Sequence, residues 1–323
     1  MQVSTETFET VARCWKAQES GLRWQSLFVL PPWLKAWWEV FSPAWEQCLL
    51  SVRDEEELIG IAPLMVSGRT AQFMGNPDIC DCFDLVAAPG KERLFCRALL
   101  DHLRGRGISM LDLGPVRPDS AVYTHLAGAA EEAAAPAVCA PENVVLELSL
   151  PATWDGFLDL LAAKERHEIR RKLRRLEEAG NYSSRMVSGP ASAQSAMEAF
   201  LELFMQNRPD KACFLTEQMA SFFRAMGTAL AQEEILKLFF LDLDDRPAAA
   251  ALCFDYNDTM YLYNNGYDRT YSRLSVGLLS KVLSIRQSIS LQRKTYDFLK
   301  GAEEYKYRLG GRPVQLYRCR IEL

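Results

Sequence analysis

The sequence predicts an α+β fold in two domains, and three observations carry that reading. Its 323 residues exceed one typical domain. Residues 236–242, 248–256 and 260–267 read as three successive strands joined by turns at Asp244, Asp245, Arg246 and Pro247 and at Asn257 and Asp258. Helical patterns at 31–41, 91–104, 164–179, 191–206, 216–232 and 276–290 stand among strands in no regular βα alternation.

In the first half, a short apolar strand near Phe28 leads into a helix opened by Pro31 and Pro32, with Trp33, Leu34, Trp37, Trp38 and Phe41 on one face. This stripe reads as core, with a ligand groove as the alternative. Residues 47–53 and 57–66 form a hairpin, and strands at 71–74 and 83–87 extend it. After the helix at 91–104, residues 109–113 are a strand, and the alanine-rich 127–141, broken by Pro136 and Pro141, reads as a connection. The expected division is 1–150 and 151–323. In the second half a strand at 144–150 and a helix at 154–163 precede the basic helix. A strand at 295–299, a polar turn at 302–309 and a strand at 314–322 close the chain.

The balance of 37 Lys and Arg against 42 Asp and Glu, net charge -5, excludes a protein that works by wrapping nucleic acid with a net basic surface. Nine scattered cysteines with no framework spacing predict reduced thiols, and the Cys80/Cys82 pair lacks partners for a metal site, so no metal is expected. No apolar run approaches the roughly 18 residues of a membrane span, and Glu6 and Glu9 interrupt any leader pattern. A soluble cytoplasmic protein is the expectation.

Chemistry concentrates between Gly266 and Arg308. A polar loop, Asp268 to Ser275, feeds the helix that starts at Val276. A helix start offers free N–H groups and a positive dipole end to an anion. Arg269 and Arg273 add charge, Ser275 stands at the cap position, and Gly277 permits close approach. A phosphate-bearing ligand or a plain capped surface helix would both account for this loop. Beyond it, Asp297 and then Glu304, Tyr305, Lys306 and Arg308 crowd after the end of a strand expected to lie beside 260–267. The basic helix holds seven Lys or Arg within 164–175. Ile169, Leu173 and Leu176 form a docking stripe, and Arg166, Arg170 and Arg174 a second one. That second stripe is either a solvated face or a surface for a phosphorylated acceptor or RNA backbone.

Five segments in order resemble the CelD-like acetyltransferases, a branch of the GNAT superfamily related to the FemAB peptidyltransferases. They are Gly60 to Leu64 with Asp81 to Leu85; Arg170, Arg171, Arg174 and Arg175; Asn265 to Asp268 with Leu274 to Gly277; Asp297 to Gly301; and Glu304 to Arg308. The resemblance spans about residues 33–318. It departs from the superfamily's pyrophosphate loop in having the single Gly277, with Val276 where CelD-like chains carry proline.

The resemblance implies two tandem GNAT-like domains, each a mixed, mostly antiparallel sheet flanked by helices, with the acyl-donor site in the C-terminal one. It implies acetyl-CoA or another acyl-CoA as donor, and Arg269, Arg273, Ser275, Gly277, Lys306 and Arg308 as donor-binding residues. The acceptor would be a small molecule or sugar nucleotide met by Arg170, Arg171, Asp84 and Asp297, in exopolysaccharide or envelope metabolism. Asp297 has a structural role, tethering its loop, as its alternative. For amine acylation the expected roles are Glu304 or Asp268 as general base and Tyr305 as acid to the leaving thiolate. FemAB-type transfer from aminoacyl-tRNA, and a non-catalytic partner in polysaccharide synthesis, are the alternatives.

Overall fold

Glu55 adopts φ 53°, the left-handed value that a tight hairpin turn needs. The computed structural model describes residues 1–17, 21–207 and 215–323. The chain divides into two compact units, Met1–Val144 with Val314–Leu323, and Val145–Pro313.

In the first unit β1 (Gln2–Thr5) precedes α1 (Phe8–Ala17). Neither was read from the sequence. The expected strand at Phe28 is instead a 3-10 turn, Leu27–Val29, because Ser26 Oγ accepts the Phe28 N–H at 3.2 Å and bends the chain. Next comes α2 (Pro31–Phe41), whose Trp33, Leu34 and Trp37 are buried, so its stripe is core. The hairpin β2 (Glu46–Asp54) and β3 (Glu57–Ser67) follows, then β4 (Thr70–Phe73), the short β5 (Val86–Ala87) and α3 (Glu92–Gly105). Strand β6 (Met110–Val116) pairs parallel with β4, and β5 pairs with β3. The alanine-rich segment is more ordered than expected. A π-helical turn at Val122–Leu126 runs into α4 (Ala127–Glu132), and β7 (Ala137–Ser149) passes straight through Pro141.

From Val145 the residues belong to the second unit. Helices α5 (Trp154–Leu160) and α6 (Ala163–Glu178) lead to an unforeseen strand, β8 (Tyr182–Val187). Helices α7 (Pro190–Asn207) and α8 (Glu217–Gln232) precede the meander of β9 (Leu236–Leu243), β10 (Arg246–Tyr256) and β11 (Thr259–Tyr267). The turn pairs Asp244/Asp245 and Asn257/Asp258 all take positive φ, 48° to 60°, as two-residue hairpin turns require. A 3-10 turn at Arg269–Leu274 opens into α9 (Val276–Ser290), followed by β12 (Thr295–Lys300), α10 (Glu304–Arg308) and β13 (Arg312–Glu322).

The second unit's sheet runs from the end of β7 through β12, β11, β10 and β9 to β8. Only β11 and β12 are parallel, as the crossover through α9 demands. In the first unit the order is β1, β2, β3, β4, β6, β13 and β7. There Cys139 and Cys319 form a disulfide, which corrects the expectation of reduced thiols throughout: the two are brought together by strand neighbours rather than by sequence spacing. The succession of antiparallel meander, crossover helix and parallel strand therefore occurs twice, as β2-β3-β4-α3-β6 and as β9-β10-β11-α9-β12. Each unit is a mixed, mostly antiparallel sheet flanked by helices, as the resemblance implies. Among the described residues, no helix is long and apolar enough to cross a membrane.

Candidate functional site

Within the second unit, β11 and β12 share three registered pairs, Thr259↔Thr295, Met260↔Tyr296 and Tyr261↔Asp297. There the ladder ends. β11 runs on through a bulge opposite Leu252/Cys253 toward α9, whereas β12 next registers with β7 at Lys300↔Val145. The wedge so formed has the 3-10 turn and the start of α9 on one side, and the loop into α10 on the other.

Asp268 caps the 3-10 turn: its Oδ1 accepts the Thr270 N–H and the Thr270 hydroxyl, both at 2.8 Å. Ser275 takes a left-handed conformation, φ 58°, and its side chain does not cap α9. Its carbonyl receives the N–H groups of Leu278 and Leu279, at 2.9 and 3.0 Å. Val276 and Gly277, both buried, open the helix, where the first N–H groups have no partner within the helix itself. N–H groups at the positive end of a 15-residue helix are of the kind that can receive an anion. Gly277 lets the helix start pack closely there, because a Cβ would lie 2.6 Å from the Tyr267 ring.

The basic helix α6 lies against this turn. Leu176 packs in one cluster with Val276, Leu279, Leu241 and Ala249, joined by Leu173, Tyr267, Tyr271 and Leu274. The predicted apolar stripe thus sets the position of the helix. It brings Lys172, which the sequence reading did not single out, to 3.2 Å from Ser275 Oγ. Lys172 also pairs with Glu168 at 2.8 Å, and Glu168 takes two bonds from Arg171. These cations hold the Glu168 carboxyl at about 2, well below its ordinary value, through hydrogen bonds first from Arg171 and then from Lys172. Arg170, Arg171, Arg269 and Arg273 are all exposed. A charge run of this kind conceals which member turns inward, and only the 172/176 spacing from the apolar stripe hints at it.

Across the wedge, Asp297 is buried and its Oδ1 accepts the Leu299 N–H at 2.7 Å. Leu299 has φ 58°. Lys306 is also buried, and its ammonium donates to the carbonyls of Leu299, Lys300 and Gly301 at 3.0, 2.7 and 3.1 Å and pairs with Glu303 at 2.9 Å. Glu304 is exposed and pairs with Arg308 at 2.5 Å; Arg308 also reaches Glu165 at 3.9 Å. Tyr305 turns inward against Phe298. Burial, and secondarily the Glu303 carboxylate, raises its phenol well above the ordinary range, so it stays protonated. The Tyr305 ring carries Lys281 Nζ 4.8 Å from its centroid. Glu303 and Lys281 were not anticipated, since nothing in an otherwise apolar helical pattern marks a lysine as buried.

Asp84 belongs to the first unit, where its Oδ1 receives the N–H groups of Leu85, Ala121 and Val122. It lines a cavity of about 260 Å³ with Arg23, Glu92 and His125.

Residues 163–307 match the family model described as an acetyltransferase (GNAT) domain. No curated protein matches the chain. A crystal structure of FemX is similar with a TM-score of 0.67 at 12% identity, over 98% of this chain and 97% of that one. A conserved protein of unknown function from Bacteroides thetaiotaomicron VPI-5482 gives 0.62 at 12% identity, with all of both chains covered. The C-terminal domain of a putative lysylphosphatidylglycerol synthetase from Agrobacterium fabrum gives 0.56 at 10%, over 90% and 91%. At these identities the likeness is one of fold, and it is a GNAT-like fold related to that of FemX.

Proposed function

We propose that the second unit transfers an acyl group from a thioester, acetyl-CoA or another acyl-CoA, to the amine of a small or sugar-linked acceptor. The observation that carries this reading is the buried start of α9 at Val276 and Gly277, with Lys172 at 3.2 Å from the adjoining Ser275 Oγ, following a strand whose parallel pairing ends at Tyr261↔Asp297. The donor's pyrophosphate sits on the α9 start with Arg269, Arg273 and Ser275 around it, and the extended thioester arm enters the wedge between β11 and β12. Tyr305, kept protonated by its surroundings, gives its proton to the leaving sulfur. Glu304, exposed and paired with Arg308, or Asp268, which caps its turn, serves as base for the amine. Arg170 and Arg171 meet a phosphorylated acceptor. The CelD-like resemblance suggests exopolysaccharide or envelope metabolism as the setting.

A second reading is favoured by the FemX-like fold over nearly the whole chain together with the exposed arginine face of α6. In it the donor is an aminoacyl-tRNA and the basic face follows the RNA backbone. Thermal melting separates the two: acetyl-CoA raises the melting temperature under the first reading, and tRNA does so in a salt-sensitive way under the second. Release of free thiol from acetyl-CoA with an amine panel then tests transfer. Tyr305→Phe and Glu304→Gln should each slow turnover by roughly 100- to 10,000-fold, the range of a lost general acid or base. Full turnover in both would remove these assignments.

A further inference from the structure

The inward face of α9 carries Gly277, Ser280, Lys281, Ser284 and Ser288, all buried. Ser284 Oγ and Tyr296 OH are 2.6 Å apart, and Tyr296 meets Phe298 edge-on, which in turn meets Tyr305. Lys281 is 7% exposed. Its ammonium turns back toward the helix start, donates to the Gly277 carbonyl at 2.7 Å, and lies over the Tyr305 ring. One side chain therefore touches both halves of the site: the residue whose N–H faces the donor's phosphates, and the tyrosine that would protonate the leaving group.

This placement is costly. Burying an ammonium forfeits hydration, and doing so near the positive end of a helix adds unfavourable electrostatics. Packing alone would be met by methionine or leucine. We propose that Lys281 is a positioning residue that ties the donor turn to Tyr305 and offsets the negative charge Tyr305 acquires when it protonates the leaving thiolate. The inference rests on the acyl-transfer reading. In the step concerned, the amine nitrogen bonds to the acyl carbon and the carbon–sulfur bond breaks with its electron pair going to sulfur. The Tyr305 proton moves to that sulfur, and the amine's surplus proton leaves to Glu304. The Lys281 ammonium lies over the resulting phenolate ring, 4.8 Å from its centroid, until water returns a proton to the phenolate.

The test is a double-mutant cycle. Lys281→Gln keeps a donor for the Gly277 carbonyl and removes the charge; Lys281→Met, close in volume, repeats the measurement should the glutamine variant melt too low to assay. With acetyl-CoA, K281Q should lower kcat about tenfold, the size of a desolvated cation–ring interaction, with the donor KM changed by no more than roughly twofold. In a Y305F background the same change should cost nothing further. An acetyl thiophenyl ester, whose thiolate departs without a proton, should restore K281Q toward wild type. Equal losses with and without the Tyr305 hydroxyl, or a K281Q enzyme with full kcat, would overturn the inference while leaving acyl transfer standing. A wild type that transfers from neither thioester overturns the donor reading and this inference with it.

Discussion

Lys172 Nζ stands 3.2 Å from Ser275 Oγ, so the basic helix reaches the start of α9 through one ammonium that also pairs with Glu168. A phosphate arriving on the Val276 and Gly277 N–H groups would add a third, stronger partner for that ammonium. Lys172→Ala should weaken acetyl-CoA binding about tenfold and lessen its salt sensitivity, because a charge-assisted contact is lost. Arg273→Ala, at an exposed residue, should have the smaller effect. Calorimetric titration at two ionic strengths measures both; an unchanged affinity in K172A would place the donor elsewhere.

Two glycines flank this turn and should respond differently to a methyl group. A Cβ on Gly266 would meet the backbone nitrogen of Phe204 at 2.4 Å, and a Cβ on Gly277 would meet the Tyr267 ring at 2.6 Å. Backbone of a helix cannot give way, whereas a ring can turn. Gly266→Ala should therefore cost about 2–3 kcal/mol in chemical denaturation. Gly277→Ala should cost on the order of 1 kcal/mol yet weaken donor binding, because the displaced ring belongs to the turn. A G266A protein as stable as wild type would contradict the α7–β11 contact.

These examples indicate what could be read from sequence. The meander was legible because Asp244, Asp245, Asn257 and Asp258 are residue types that tolerate positive φ, and α9 because Ser275 and an apolar run bound it. Strand β8 was not, because an edge strand with exposed Ser183, Ser184 and Arg185 lacks the apolar alternation that marks burial. Strand β7 was read only from residue 144 onward, its first part being hidden by Pro141, a residue that argues against strand. The proposed site was read from sequence as a pair of segments, since residue type and order suffice to suggest a donor turn and a catalytic loop. Lys172 and Lys281 were not: their roles come from which way one lysine among many turns, and that is set by packing partners distant in the chain.

Asp84 makes the first unit sensitive to pH. Burial pushes its carboxyl from 3.8 up to about 7 despite three N–H bonds that favour the ionised form. The folded state thus holds the proton more tightly than the unfolded chain. The resulting penalty is absent below pH 3.8, grows as pH rises, and is complete above about 7. Asp84→Asn, which keeps an oxygen for those N–H groups, should gain on the order of 2–4 kcal/mol over wild type at pH 8 and little at pH 4. Denaturation of both proteins across this range gives the difference directly; parallel curves would show that Asp84 is not buried as described.

Lys306 allows the structural and donor-binding roles of one residue to be told apart. Its three protons face four acceptors, the carbonyls of Leu299, Lys300 and Gly301 and the Glu303 carboxylate, and they hold a loop in which Leu299 and Gly301 both have positive φ. Lys306→Met would leave those carbonyls without their donor, at a cost of about 3–5 kcal/mol. Lys306→Arg should not recover it, because a planar guanidinium cannot point at three carbonyls converging on one atom. If the residue acts by holding the loop, K306M should melt well below wild type and lose turnover, while its folded fraction still binds acetyl-CoA near wild-type affinity through the α9 start. If Lys306 instead grips the donor, the same variant should lose affinity in proportion to turnover and melt near wild type. Melting curves and equilibrium binding on the same preparation decide between these outcomes.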